Sequence, residues 1–189
     1  MKIIIIGLGL IGGSIAKTLS SSQDFEIFAF DSDQNSIKNA LDNKSIQGSL
    51  HSIDDLRNAE YEDSVVIIAT PPSATDDILK SLDFLFNSSV TITDTTSAKS
   101  SLNKTLQEFN FPKNFIFSHP VAGSHLSGIK NSVANLFNKK STILSYHNSV
   151  ASKHVERVTN LWNTLGSNIT VLDAELHDQI FAYSSHLPH

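Results

Sequence analysis

Short runs of β-branched apolar residues alternate along this chain with stretches whose apolar positions recur every three or four residues. Residues 2–6 (KIIII) contain four consecutive isoleucines, as a strand buried on both faces requires. Residues 11–19 follow with Ile11, Ile15, Ala16 and Leu19 on one stripe, which predicts a helix. The same pairing continues. Strands are predicted over 26–30, 64–69, 90–93, 115–118, 141–145 and 169–172. Helices are predicted over 33–41, 73–86, 97–108, 129–136 and 150–165, with Asp33 and Ser73 placed to cap the second and third. Such alternation predicts an α/β fold, a mainly parallel sheet with helices on both faces. A break falls after Leu172. Residues 1–172 read as one domain. Residues 173–189 read as the start of another, with Asp173 capping a helix over 174–185 that has nothing to pack on. The chain is therefore expected to be the front part of a longer protein.

The turn after the first strand changes this from a fold to a binding site. Gly7-Leu8-Gly9-Leu10-Ile11-Gly12 is a G-x-G-x-x-G sequence that follows a strand and opens a helix. In that context Gly7 permits the tight turn, Gly9 lets the backbone approach a pyrophosphate, and Gly12 lets helix and strand pack closely. The free N–H groups at the helix start, those of Leu10 and Ile11 among them, favour anionic phosphates. Asp31, at the end of the second strand, is placed to accept hydrogen bonds from the ribose hydroxyls and to repel a 2′-phosphate. It is followed by Ser32 and Asp33, with no arginine beside it, so NAD is expected over NADP. Thr70, Pro71 and Pro72 end another strand and are candidates for a wall of the same dinucleotide site. The domain is thus predicted to be a doubly wound Rossmann domain.

Composition narrows the partners. With 14 Lys and Arg against 19 Asp and Glu, the formal charge is −5, which argues against a broad nucleic-acid footprint. The absence of cysteine excludes disulfides and thiol chemistry and fits a reducing cytoplasm. The opening apolar run is too short for a signal peptide and is broken by Gly7 and Gly9. No run of 18 apolar residues is present to span a membrane.

Two further strand ends carry polar groups, Asp94-Thr95-Thr96-Ser97-Ala98-Lys99 and Ser118-His119-Pro120-Val121-Ala122-Gly123-Ser124. Both open on the edge of the glycine turn if their strands run parallel to the first. Proline after His119 biases that histidine to an extended backbone, and Gly123 allows close approach. An imidazole, with its ordinary pKa near 6.5, suits proton transfer at neutral pH, although a histidine at a strand end is more often structural. No metal site is expected. His186 and His189 are suitably spaced, but Pro188 lies between them and no cysteine assists. His177-Asp178 reads equally well as a supporting pair or as an exposed helix start. Trp162, with Leu161 and Leu165, reads as helix core.

Taken in order, GLGLIGGS, the aspartate after the second strand, DTTSAKS, SHPVAGSHLSG and ELHDQIFAYSSHLPH resemble the prephenate/arogenate dehydrogenase family over the whole chain. The resemblance implies NAD-dependent oxidative decarboxylation of prephenate or arogenate in tyrosine biosynthesis. It implies that His119 is the catalytic histidine, binding the ring hydroxyl and helping to take its proton. It implies that Ser97 orients that hydroxyl and the histidine, and that Gly123, Ser124, His186 and His189 lie toward the substrate. It also implies a cytoplasmic homodimer built through an all-helical C-terminal dimerisation domain. Two departures stand out. His125 occupies a place where some prephenate-specific members carry an acidic residue, and the family's carboxylate-holding arginine would lie past His189. The rival readings are a β-hydroxyacid or imino-acid dehydrogenase on the same domain, and a non-catalytic dinucleotide-binding module.

Overall fold

The isoleucines of the first strand place it at the centre of the sheet, because each side chain has a covered face to enter. The computed structural model describes residues 1–97, 99–122 and 128–172. In it Ile3 and Ile5 join a core with Ile15, Leu19, Ile37 and Trp162, whereas Ile4 and Ile6 join a second core with Leu79, Leu82, Leu102 and Leu106. Full burial of each such side chain contributes about 1.5–3 kcal/mol. The strands are β1 (Lys2–Ile6), β2 (Glu26–Phe30), β3 (Gly48–Ser49), β4 (Val65–Ile68), β5 (Thr91–Asp94), β6 (Phe115–Pro120), β7 (Ser141–Ser145) and β8 (Asn168–Val171). The helices are α1 (Leu10–Leu19), α2 (Gln34–Asp42), α3 (Pro72–Ser81), α4 (Ser100–Glu108) and α5 (Ser152–Thr164). Their apolar faces divide between the two cores, α1, α2 and α5 on one side of the sheet and α3 and α4 on the other.

The sheet order is β3-β2-β1-β4-β5-β6-β7-β8. All neighbours are parallel except β6 and β7, which are antiparallel. The doubly wound, mainly parallel architecture expected from the sequence is therefore the one found. Asp33 caps α2 as expected, its carboxylate accepting from Asn35 N at 3.0 Å. Trp162 is core, packed edge-on against Phe137.

Several elements differ from their sequence patterns for local reasons. The third helix begins at Pro72 and follows Pro71, so Ser73 is not its cap; proline suits a first helical turn, where its missing N–H is not needed. It stops at Ser81, where Leu82 N turns back to Leu79 O, and a 3-10 turn (Asp83–Leu85) replaces its predicted end. The fourth helix starts at Ser100 and not at Ser97, because Thr96 folds back onto the Asp94 carboxylate instead. The segment 129–136 is not an α-helix. After a 3-10 turn (Ile129–Asn131) it runs along α1, where polar side chains of α1 satisfy its backbone. Lys17 Nζ donates to Ser132 O, Ser14 Oγ accepts from Val133 N, and Thr18 Oγ1 accepts from Asn135 N. The two-residue edge strand β3 has no signature that a strand pattern could reveal. Among the described residues no helix is long and apolar enough to cross a membrane.

Far from the glycine turn, His154 of α5 is buried and its Nδ1 lies 2.7 Å from Thr91 Oγ1. Burial, with Lys153 and Arg157 nearby, pushes its pKa down to about 4, while Asp63 opposes the shift. The unfolded chain then binds more protons than the folded one between about pH 6.5 and pH 4. Stability is therefore complete above pH 6.5 and declines as the pH falls toward 4. Replacing His154 with Gln should flatten this decline. Urea midpoints at pH 7 and pH 5 should show the wild type losing on the order of 1 kcal/mol more than the variant. Parallel losses would show that His154 does not stay neutral in the fold.

Candidate active site

Strand order reverses at β1, with β2 on one side and β4 on the other, which opens a crevice beyond their carboxyl ends. The glycine turn fills its floor. Gly7 has φ +99° and donates its N–H to Phe30 O at 2.8 Å; a Cβ there would lie 2.7 Å from Ala69 O. Gly9 is the N-cap of α1 without a side-chain cap, and nothing lies within 4 Å of where its Cβ would be. A ligand can therefore approach the uncapped N–H groups of the first turn, which contains no acidic residue to repel an anion. Gly12 lies beneath the floor and not on it. Its Cβ would fall 1.9 Å from Gly7 O, so its contribution is the close packing of α1 against the turn.

Asp31 stands at the end of β2 and is tied to the turn. Its Oδ2 accepts from Leu8 N at 2.6 Å and its Oδ1 from Asp33 N at 2.8 Å. These bonds orient the carboxylate and leave lone pairs on both oxygens for further donors. The cleft that begins here has a volume of about 1090 Å³. Gly7, Gly9, Leu10, Ile11 and Asp31 form one end, and Phe30, Thr70, Pro71, Pro72 and Ile78 form an apolar wall. Thr95, Thr96, Ser97, His119, Val121 and Gly128 form the other end. Ser97 is exposed, and His119 is only 7% exposed. An extended ligand that carries phosphates, a ribose diol and apolar rings suits this combination of surfaces.

Behind His119 lies a buried ion pair. Lys99 Nζ donates to Asp94 Oδ2 at 2.6 Å, with the two side chains 1% and 0% exposed. The β5–β6 ladder ends at Thr93↔Ile116. Past it, these charged side chains supply the bonds that a strand would have made: Ser118 N donates to Asp94 Oδ1 at 3.2 Å, and Lys99 Nζ donates to Ser118 O at 2.7 Å. The Lys99 ammonium also sits 5.6 Å from the centre of the Phe117 ring, within cation–π range. On its other side β6 stays paired, His119 opposite Ile143 of β7. The sheet thus opens at His119 while its backbone remains held.

The structure brings together ten of the residues that the sequence singles out. Gly7, Gly9, Leu10, Ile11, Asp31, Thr70, Pro71, Pro72, Ser97 and His119 all line one cleft. Gly123, Ser124, His125, His177, Asp178, His186 and His189 lie outside the described residues. Nothing in the sequence pattern alone marks Asp94 and Lys99 as partners. The available signal was an aspartate at a strand end with a lysine five residues later, but only the end of β6 shows why the pair must meet.

Comparison with known proteins agrees with this geometry. The chain matches the family described as prephenate dehydrogenase, nucleotide-binding domain, over residues 15–171. It is 32% identical over 189 residues to the cyclohexadienyl dehydrogenase of Zymomonas mobilis subsp. mobilis, covering 99% of this chain and 63% of that protein. It is 34% identical over 192 residues to the prephenate dehydrogenase of Lactococcus lactis subsp. cremoris, covering 100% of this chain and 51% of that protein. Its fold superposes with a TM-score of 0.85 on prephenate dehydrogenase from A. aeolicus in complex with hydroxyphenyl propionate and NAD+, at 30% identity, covering 96% of this chain and 63% of that one. The chain thus spans about half to two thirds of the length of these relatives. With the glycine turn, Asp31, Ser97 and His119 all on one cleft, this chain belongs to the prephenate dehydrogenase family and comprises its nucleotide-binding domain.

Proposed function

We propose that the full-length protein catalyses the NAD-dependent oxidative decarboxylation of prephenate or arogenate in tyrosine biosynthesis. The observation that carries this reading is the single cleft that joins a dinucleotide cradle to Ser97 and His119. NAD, when bound, supplies the hydride acceptor. The uncapped N–H groups at the start of α1 hold its pyrophosphate, and Asp31 holds a ribose diol. His119 accepts the proton of the substrate's ring hydroxyl, and Ser97 orients that hydroxyl toward the imidazole. Carbon dioxide leaves as the ring becomes aromatic, so the driving force lies in the substrate and the protein's task is mainly to position two reactants. Gly123, Ser124, His186 and His189 belong to the substrate side of the same reading. So do a helical domain from residue 173 onward, a homodimer and a cytoplasmic location, for which family membership is the support.

Cofactor choice follows from Asp31. Its carboxylate is fixed by two backbone N–H groups and cannot swing away from a 2′-phosphate. Calorimetry on the chain should give NAD an affinity at least about tenfold higher than NADP, or about 1.4 kcal/mol. Asp31→Asn should narrow that gap. Equal or tighter binding of NADP by the wild type would refute the assignment. The reaction itself is tested by offering prephenate, arogenate and a 3-hydroxy acid with NAD to the full-length protein. Reduction of NAD with either of the first two and not with the third is the expected result. Turnover of the hydroxy acid alone would replace this reading with that of a β-hydroxyacid dehydrogenase. Binding of NAD without turnover of any substrate would leave a non-catalytic module.

A further inference from the structure

We propose that Ser118 is a positioning residue for His119, held by a hydrogen-bonded clamp that reaches through the sheet to Trp162. Every polar atom of Ser118 is engaged by a side chain. Asp94 Oδ1 accepts from its N–H, and Lys99 Nζ donates to its carbonyl oxygen. Its hydroxyl lies 2.7 Å from Thr93 Oγ1 and accepts from Trp162 Nε1 at 3.0 Å. Indole N–H is a donor only, so the direction of that last bond is fixed.

The clamp sits where β6 has lost its parallel neighbour. Pairing with β5 ends at Thr93↔Ile116, and the next backbone groups on that side would be left without partners in a buried place. Side chains replace the ladder there. Successive residues of a strand face opposite sides. Ser118 therefore turns to the α5 face, where Trp162 is fully buried, while His119 turns to the cleft. Through the peptide bond the two residues share, the hold on Ser118 sets where the imidazole stands. The hydroxyl adds a hold from the α5 side, through Thr93 and Trp162, to those that Asp94 and Lys99 place on the Ser118 backbone.

This inference rests on the proposed role of His119, and its test separates the two. In the full-length enzyme, Ser118→Ala should lower kcat by about tenfold while the KM values for NAD and for substrate change less than about twofold. Ser118→Thr, which restores the hydroxyl, should recover most of kcat. Trp162→Phe keeps the ring in the core and removes only the N–H; it should reproduce the loss in part and serves if Ser118→Ala does not fold. The second readout is independent of turnover. In the NAD-loaded chain labelled with 13C-histidine, the His119 Cε1 resonance, assigned by its loss in His119→Asn, should shift or broaden in Ser118→Ala and Trp162→Phe. An unchanged kcat with an unmoved resonance would overturn the clamp. So would a loss of kcat and NAD affinity together that Ser118→Thr does not rescue, since that pattern reports general damage to the fold. Failure of the wild type to turn over prephenate or arogenate would overturn the functional reading instead, and the resonance would still decide the clamp.

Discussion

Replacing His119 with Asn should leave NAD affinity intact and remove most of the turnover in the full-length protein. The dinucleotide cradle is built on the ends of β1, β2 and β4, whereas His119 sits on β6 at the far end of the cleft, so the two functions are separable. Asparagine preserves a polar side chain of similar reach but cannot take a proton. Loss of an acid–base group of this kind lowers kcat on the order of 10²-fold or more. Ser97→Ala should cost less, since in the proposed mechanism the serine orients the reacting groups and does not carry the proton. Calorimetry for NAD and steady-state kinetics on the same preparation check both statements. A kcat for His119→Asn within about threefold of the wild type would remove the histidine from the mechanism.

Breaking the Asp94–Lys99 pair should be the most damaging single change to stability among those considered. Lys99→Met leaves the Asp94 carboxylate fully buried without its countercharge and leaves Ser118 O without its donor. Removal of one partner of a buried pair costs about 3–5 kcal/mol. That is a large share of the 5–15 kcal/mol that holds an ordinary domain together. Desolvation opposes the attraction within a buried pair, so its net contribution is small beside the cost of breaking it. The double variant Asp94→Asn/Lys99→Met should therefore recover roughly half or more of the loss. Urea unfolding of the two singles and the double gives the comparison. A cost below about 1 kcal/mol for Lys99→Met would mean that the carboxylate finds another partner or water.

What the sequence makes legible is local or periodic. The isoleucine run of β1, the glycine turn, Asp31 and the Asp33 cap each follow from a few neighbouring residues, and each stands where its pattern places it. The polar stretch that begins at the end of β5 is different. Asp94, Thr96 and Lys99 look like an ordinary strand-to-helix loop until β6, some twenty residues later, presents a backbone that needs their charges. Residues 129–136 have an apolar spacing that suits a helix, yet the hydroxyls of Ser14 and Thr18, over a hundred residues earlier, accept from the backbone of Val133 and Asn135 in a course of turns. Trp162 shows the same limit in one side chain. Its burial is legible from helical spacing, but its N–H bond to Ser118 is not. Long-range hydrogen bonds decided all three, and no local pattern encodes them.

In the proposed function, hydride transfer to NAD and loss of a carboxyl group occur together in the cleft that holds Ser97 and His119. The most direct test is to supply the full-length protein with prephenate and, separately, arogenate, and to measure reduced nicotinamide and carbon dioxide in the same reaction. At least one substrate should yield the two in equal amounts, and His119→Asn should lower both together. Reduction of NAD without carbon dioxide, or neither product from either substrate despite tight NAD binding, would contradict that function.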